Sequence, residues 1–65
     1  MLVRDFIFSN INVGIKWKID DVLYLFKNDI PMNVSYKNVF VWKYDSNECT
    51  FQIETFQKIK GDYNV

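Results

Sequence analysis

The chain has no histidine and no alanine, and only one cysteine, one proline and two glycines in 65 residues. Most of these scarcities exclude something. General acid–base catalysis falls most often to histidine, so the commonest catalytic side chain is missing. A single thiol, Cys49, cannot close an internal disulfide, and the fold therefore does not depend on an oxidising compartment. The same shortage leaves a structural zinc site within one chain without a ligand set. The longest unbroken apolar run is Val22 to Phe26, far below the roughly 20 residues of a membrane-spanning helix. Met1-Leu2-Val3-Arg4-Asp5 has neither the basic start nor the long apolar stretch of a signal peptide. A cytoplasmic protein away from the membrane is expected, with no cofactor, no metal and no catalytic residue.

Charge of one sign is also lacking. Eight Lys and Arg offset eight Asp and Glu, so the formal net charge is zero. Attraction to phosphate usually leaves a basic excess, which is absent.

What is abundant is aromatic. Six Phe, four Tyr and two Trp supply 18% of the chain, and 49% is apolar. A domain this short buries only about 60% of its unfolded surface. Large rings let it close a core nonetheless, since each removes roughly 150–250 Å² from water. Phe, Tyr, Met, Ile, Asn and Lys make up 33 of the 65 residues, and all six have AT-rich codons. A phage or mobile-element origin is expected on that ground. In general appearance the chain is similar to small phage-encoded proteins that bind and block a host enzyme or defence system, although no motif carries the likeness.

One small domain over residues 1–65 is expected, with 61–65 as a frayed tail. Ile11, Val13, Ile15, Trp17 and Ile19 alternate with polar residues or Gly14, the period of a strand with one wet face. Leu2 to Phe8 reads as a shorter strand before it. Asp20 or Asp21 is placed to cap a helix near residues 21–28, with Val22, Leu23, Leu25 and Phe26 as its apolar stripe. Pro31 stops that helix. Met32, Val34 and Tyr36 alternate as a strand, and Phe40, Trp42 and Tyr44 continue the series. A turn centred on Ser46-Asn47 then sets Tyr44 opposite Cys49, Trp42 opposite Phe51 and Phe40 opposite Ile53. The expected fold class is α+β: a mainly antiparallel sheet of about four to five strands with one short helix on one face.

Little in this pattern carries catalytic chemistry. Cys49 is expected inward on the hairpin beside Tyr44, as a small hydrophobe rather than a nucleophile. The Asp20-Asp21 pair is explained by helix capping without a metal or a glycosidase. Gly14 and Gly61 stand alone, so no phosphate-cradling loop exists. An enzyme is not expected.

Two binding classes remain. Val39 and Val41 put apolar side chains on what should be a wet face. With Tyr36 and Phe56 they form the candidate protein interface, the alternative being that other parts of the fold cover them. The leading expectation is a stoichiometric binder or inhibitor of another protein, acting by steric occlusion. A homodimer completing its core across that interface is one form this could take. The rival is a nucleic-acid-binding sheet using Lys16, Lys18 and Lys43, which the zero net charge disfavours.

Overall fold

The computed structural model describes residues 1–56. The chain opens with helix α1, Val3–Ser9, where a strand is expected from the abundance of Val, Ile and Phe. The helical period is nevertheless present: Val3, Phe6 and Ile7 stand at i, i+3 and i+4, and all three are buried. Seven residues would not hold a helix alone in water. Backbone bonds tie this one down, with the Val3 N–H donating to the Lys37 carbonyl at 2.8 Å and the Asn10 N–H to that of Ile7 at 3.0 Å.

Four strands follow: β1 Lys16–Ile19, β2 Val22–Tyr24, β3 Phe40–Asp45 and β4 Thr50–Thr55, with a 3-10 turn Lys27–Asp29 and a one-turn helix α2, Met32–Ser35, in the long connection. They form one mixed sheet in the order β2-β1-β4-β3. Two of its pairings, β1–β2 and β3–β4, are antiparallel, and the central pair β1–β4 is parallel. The α+β architecture with a short helix against a small sheet is the expected one. Its helix lies elsewhere: α1 occupies the position over the sheet, and the stretch near residues 21–28 is mostly strand β2 and the 3-10 turn. The frayed tail expected over 61–65 lies outside the described residues.

Each displacement has a local cause. Asp20 and Asp21 have φ of 50° and 67°, and Ile19 pairs with Val22. That is the two-residue hairpin whose central residues are both left-handed, a corner for which Asp is among the tolerated residues. The two aspartates turn a hairpin and do not cap a helix. The alternation from Ile11 to Ile19 becomes strand only from Lys16, because Lys16 pairs with Thr50, the first residue of β4. Upstream of Thr50 the chain leaves the sheet at Cys49, φ 49°, so among the described residues the segment 11–15 has no strand to pair with. Gly14, φ 84°, bends that segment in a conformation open to glycine and costly for most other residues. The expected strand through Met32, Val34 and Tyr36 is helix α2, started by Pro31, whose carbonyl accepts from the N–H groups of Val34 and Ser35.

The β3–β4 hairpin forms, in a register two residues from the expected one. Tyr44 faces Phe51, Trp42 faces Ile53 and Phe40 faces Thr55. The loop is longer because the Asp45 carboxylate accepts from the N–H groups of Asn47 at 3.0 Å and Glu48 at 3.3 Å, the side-chain turn that Asp favours. A slip of two keeps every side chain on its face, whereas a slip of one would invert them.

The core lies between α1 and one face of the sheet: Val3, Phe6, Ile7, Trp17, Ile19, Ile30, Phe51 and Ile53. Phe51, on central strand β4, is its hub. Trp17 stacks on it at 5.2 Å between ring centroids, Phe6 meets it edge-on at 5.3 Å, and Tyr44 and Trp42 approach at 4.8 and 5.5 Å. Phe51→Ala removes the ring that all four others share. A loss of about 3–5 kcal/mol is expected, enough to leave a domain of this size largely unfolded in a urea titration at 25 °C. In the opposite direction, Asp21→Gly relieves a left-handed side chain and is expected to raise the urea midpoint, by about 0.5–1 kcal/mol in stability.

Candidate functional site

No helix among the described residues covers the second face of the sheet, and the pairing determines what that face displays. Leu23, Lys18, Gln52 and Lys43 form one row across β2, β1, β4 and β3, while Lys16, Thr50 and Asp45 form the next. The three lysines named for the nucleic-acid alternative therefore do share a face. Glu54 and Val41 make a third row on it, and a shallow trough of about 670 Å³ runs over this surface with Asp20 and Asp21 at its rim. No aromatic residue of the four strands falls in these rows. Trp17, Tyr24, Trp42, Tyr44 and Phe51 fall in the alternate rows, on the face toward α1. The basic side chains and the rings that would stack on bases are thus sorted to opposite faces.

Of the residues named for a protein interface, Val39, Val41 and Phe56 adjoin at one end of the β3–β4 pair, and Tyr36 lies apart. Val41 is 54% exposed on the open face, and Val39 is half-buried at the start of the hairpin, its carbonyl accepting from the Phe56 N–H. Phe56 is exposed. Tyr36 is exposed at the end of α2, where its hydroxyl accepts from the Arg4 guanidinium at 2.6 Å. Arg4 lies 5.3 Å from the Tyr36 ring centroid and 5.4 Å from that of Phe8, and the Lys27 ammonium sits 3.7 Å from the Phe8 centroid. These cation–ring contacts join α1 to the long connection and line the hollow of about 220 Å³ between them. Tyr36 thus takes part in a tie between elements rather than in one surface with Val41. Cys49, expected inward, is exposed in the hairpin loop. Burial, the Cys49 thiol and the Asp45 carboxylate together hold the Tyr44 hydroxyl above the ordinary tyrosine pKa.

One group of wet apolar side chains is concealed by the strand alternation of the sequence. Residues 11–15 loop out before β1, and Leu25 and Phe26 follow β2. The two segments meet around an open hollow of about 590 Å³. Val13 is fully exposed, Phe26 68%, and Leu25 and Ile11 about half. Ile11 and Val13 belong to the run that predicts an inward strand face, so only the loss of pairing before Lys16 reveals them as surface. Among the described residues no helix is long and apolar enough to cross a membrane.

The chain is a small α+β domain with a mixed four-stranded sheet. No protein family, no curated protein and no solved structure matches it.

At the trough rim, Asp20 joins the β1–β2 corner to the end of β4. Its carboxylate accepts from the Thr55 N–H at 2.8 Å and from the Thr55 hydroxyl, with Lys37 Nζ at 4.0 Å. Burial works to raise its pKa, but the two Thr55 bonds and Lys37 outweigh it and hold the carboxyl below its ordinary value of 3.8. A lowered folded pKa means the contribution is complete above the unfolded value and disappears as pH falls through the folded one. Stability measured by urea titration is therefore expected to decline from about pH 5 to about pH 2. Asp20→Asn should flatten that portion of the profile.

Proposed function

We propose that this domain is a non-enzymatic protein-binding module that captures a second protein through the Ile11, Val13, Leu25 and Phe26 patch and acts by steric occlusion. The observation that carries the reading is the patch itself: four large apolar side chains from two adjoining connections, clustered around one hollow and left in water. Scattered exposed apolar residues need no explanation, whereas a contiguous group of them on a small soluble domain marks a docking surface. Phe26 has the shape of an interface anchor, a ring that can be fully desolvated in a partner's pocket. The AT-rich composition is what supports a phage or mobile-element origin, with a host protein as the target.

The second reading, nucleic-acid binding, is favoured by the convergence of Lys16, Lys18 and Lys43 on the open face. The separation of those lysines from the aromatic rings counts against it, because single-strand binding combines both on one surface. The zero net charge counts against it too.

Affinity capture from a bacterial lysate, with and without nuclease, separates the two. A stoichiometric protein partner that survives nuclease is expected for the wild-type chain, and at least a tenfold lower yield for Phe26→Asp. The substitution is at an exposed loop position, so its urea midpoint should shift by no more than about 0.5 kcal/mol in stability. Capture that is lost on nuclease treatment and indifferent to Phe26→Asp would instead select the lysine face.

A further inference from the structure

At the far side of the sheet from that patch, β3 is an edge strand of six residues, twice the length of the other edge, β2. The Phe56 N–H donates to the Val39 carbonyl, so in this antiparallel ladder Val39, Val41, Lys43 and Asp45 direct their backbone groups toward β4. Phe40, Trp42 and Tyr44 consequently direct theirs away from β4, where no strand pairs with them among the described residues. Edges of this kind are normally guarded by charge, proline, a bulge or a covering loop. Within β3 itself Lys43 is the one cationic residue. Trp42 and Tyr44 are 52% and 43% exposed, because α1 is seven residues long and covers only part of the sheet, and Val41, on the opposite face, is 54% exposed.

We infer that β3 pairs antiparallel with β3 of a second copy, across a two-fold axis at Trp42, to make one eight-stranded sheet. Backbone parity requires Phe40, Trp42 and Tyr44 to face one another, which leaves few registers. A two-fold axis at Lys43 sets two ammonium groups face to face and is disfavoured. An axis at Tyr44 runs the ladder into the loop that begins at Ser46. The axis at Trp42 uses strand residues alone. It places Trp42 against Trp42 of the second copy and Phe40 against Tyr44, aromatic pairs of the kind that stabilise neighbouring strands.

Charge also selects this register. On the open face Lys43 comes opposite Val41 of the second copy, whose own β4 neighbour in the same row is Glu54. The row then reads Lys18, Gln52, Lys43, followed by Val41 and Glu54 of the second copy. The two-fold axis repeats it in reverse. The most basic row of each copy thus runs into the acidic row of the other, with the Lys43 stem lying over Val41. A net charge of zero removes long-range repulsion between copies. A single added strand with its half-exposed side chains buries on the order of 1,000 Å² in total, the low end for specific interfaces. The dimer should accordingly be weak, with a Kd of about 10–100 µM.

Sedimentation equilibrium from about 1 µM to about 1 mM tests this. The weight-average mass is expected to rise from 7.8 kDa toward twice that value. Val41→Lys should raise Kd at least tenfold, since its ammonium meets Lys43 of the second copy, yet it faces Glu54 within its own chain and should fold normally by circular dichroism. Adding Lys43→Glu to Val41→Lys should restore association by making the new pair opposite in sign. A wild-type mass that stays at 7.8 kDa throughout, a Val41→Lys variant that associates as tightly as wild type, or a double variant that remains monomeric would each overturn the arrangement. Phe26→Asp is expected to leave the mass unchanged, so failure of the dimer and failure of the capture site are read separately.

Discussion

Packing around Phe51 is the contact on which the rest of the fold depends. Its ring sits on the central strand and meets a tryptophan from β1, a phenylalanine from α1 and two aromatic side chains from β3. One residue therefore joins three of the four strands to the helix. A chain of 65 residues has few other means of doing this. It has a single cysteine, and one seven-residue helix as the lid over its sheet. Rings give much buried area per ordered residue, and edge-to-face and offset contacts fix their relative orientation.

A lid that short cannot cover four strands, and the remainder includes surfaces proposed for binding. On the α1 side, Phe6 reaches Phe40, Trp42 and Phe51, but the outer strand retains half-exposed rings. The opposite side carries lysines, Gln52, Glu54 and Val41. Beyond β1 and β2 the chain turns away from the sheet and leaves Val13 and Phe26 in water. The proposed capture patch and the β3 edge, unpaired among the described residues, are separate features of this geometry. They lie toward opposite ends of the strand order.

The left-handed corners determine where the strands begin and end. Gly14 delays β1, Asp20 and Asp21 reverse the chain into β2, and Cys49 releases the hairpin loop into β4. Asp20 also bonds to Thr55, so the β1–β2 corner and the end of β4 are fastened together. The parallel pairing of β1 with β4 brings the two hairpins side by side and places all three sheet lysines on one face. That pairing joins residues more than thirty positions apart.

The amino-acid pattern alone determined the fold class, the inward faces of Trp17, Ile19, Phe51 and Ile53, and the existence of the β3–β4 hairpin. Period-two alternation is a local property, and a register error of two residues preserves it, so the faces survive even though the expected partners do not. The pattern could not assign α1, because Val, Ile and Phe favour strands while the i, i+3, i+4 stripe of Val3, Phe6 and Ile7 is too brief to outweigh them. It misassigned residues 21–28 for the converse reason: a short run of apolar residues after two aspartates suits a capped helix and a hairpin strand equally. Tertiary structure decided between them, since β1 needs a neighbour and Val22–Tyr24 is within reach of a two-residue turn. The exposure of Ile11 and Val13 was decided the same way. A strand requires a partner as well as an alternating sequence, and among the described residues no strand runs alongside the segment before Lys16 to pair with it.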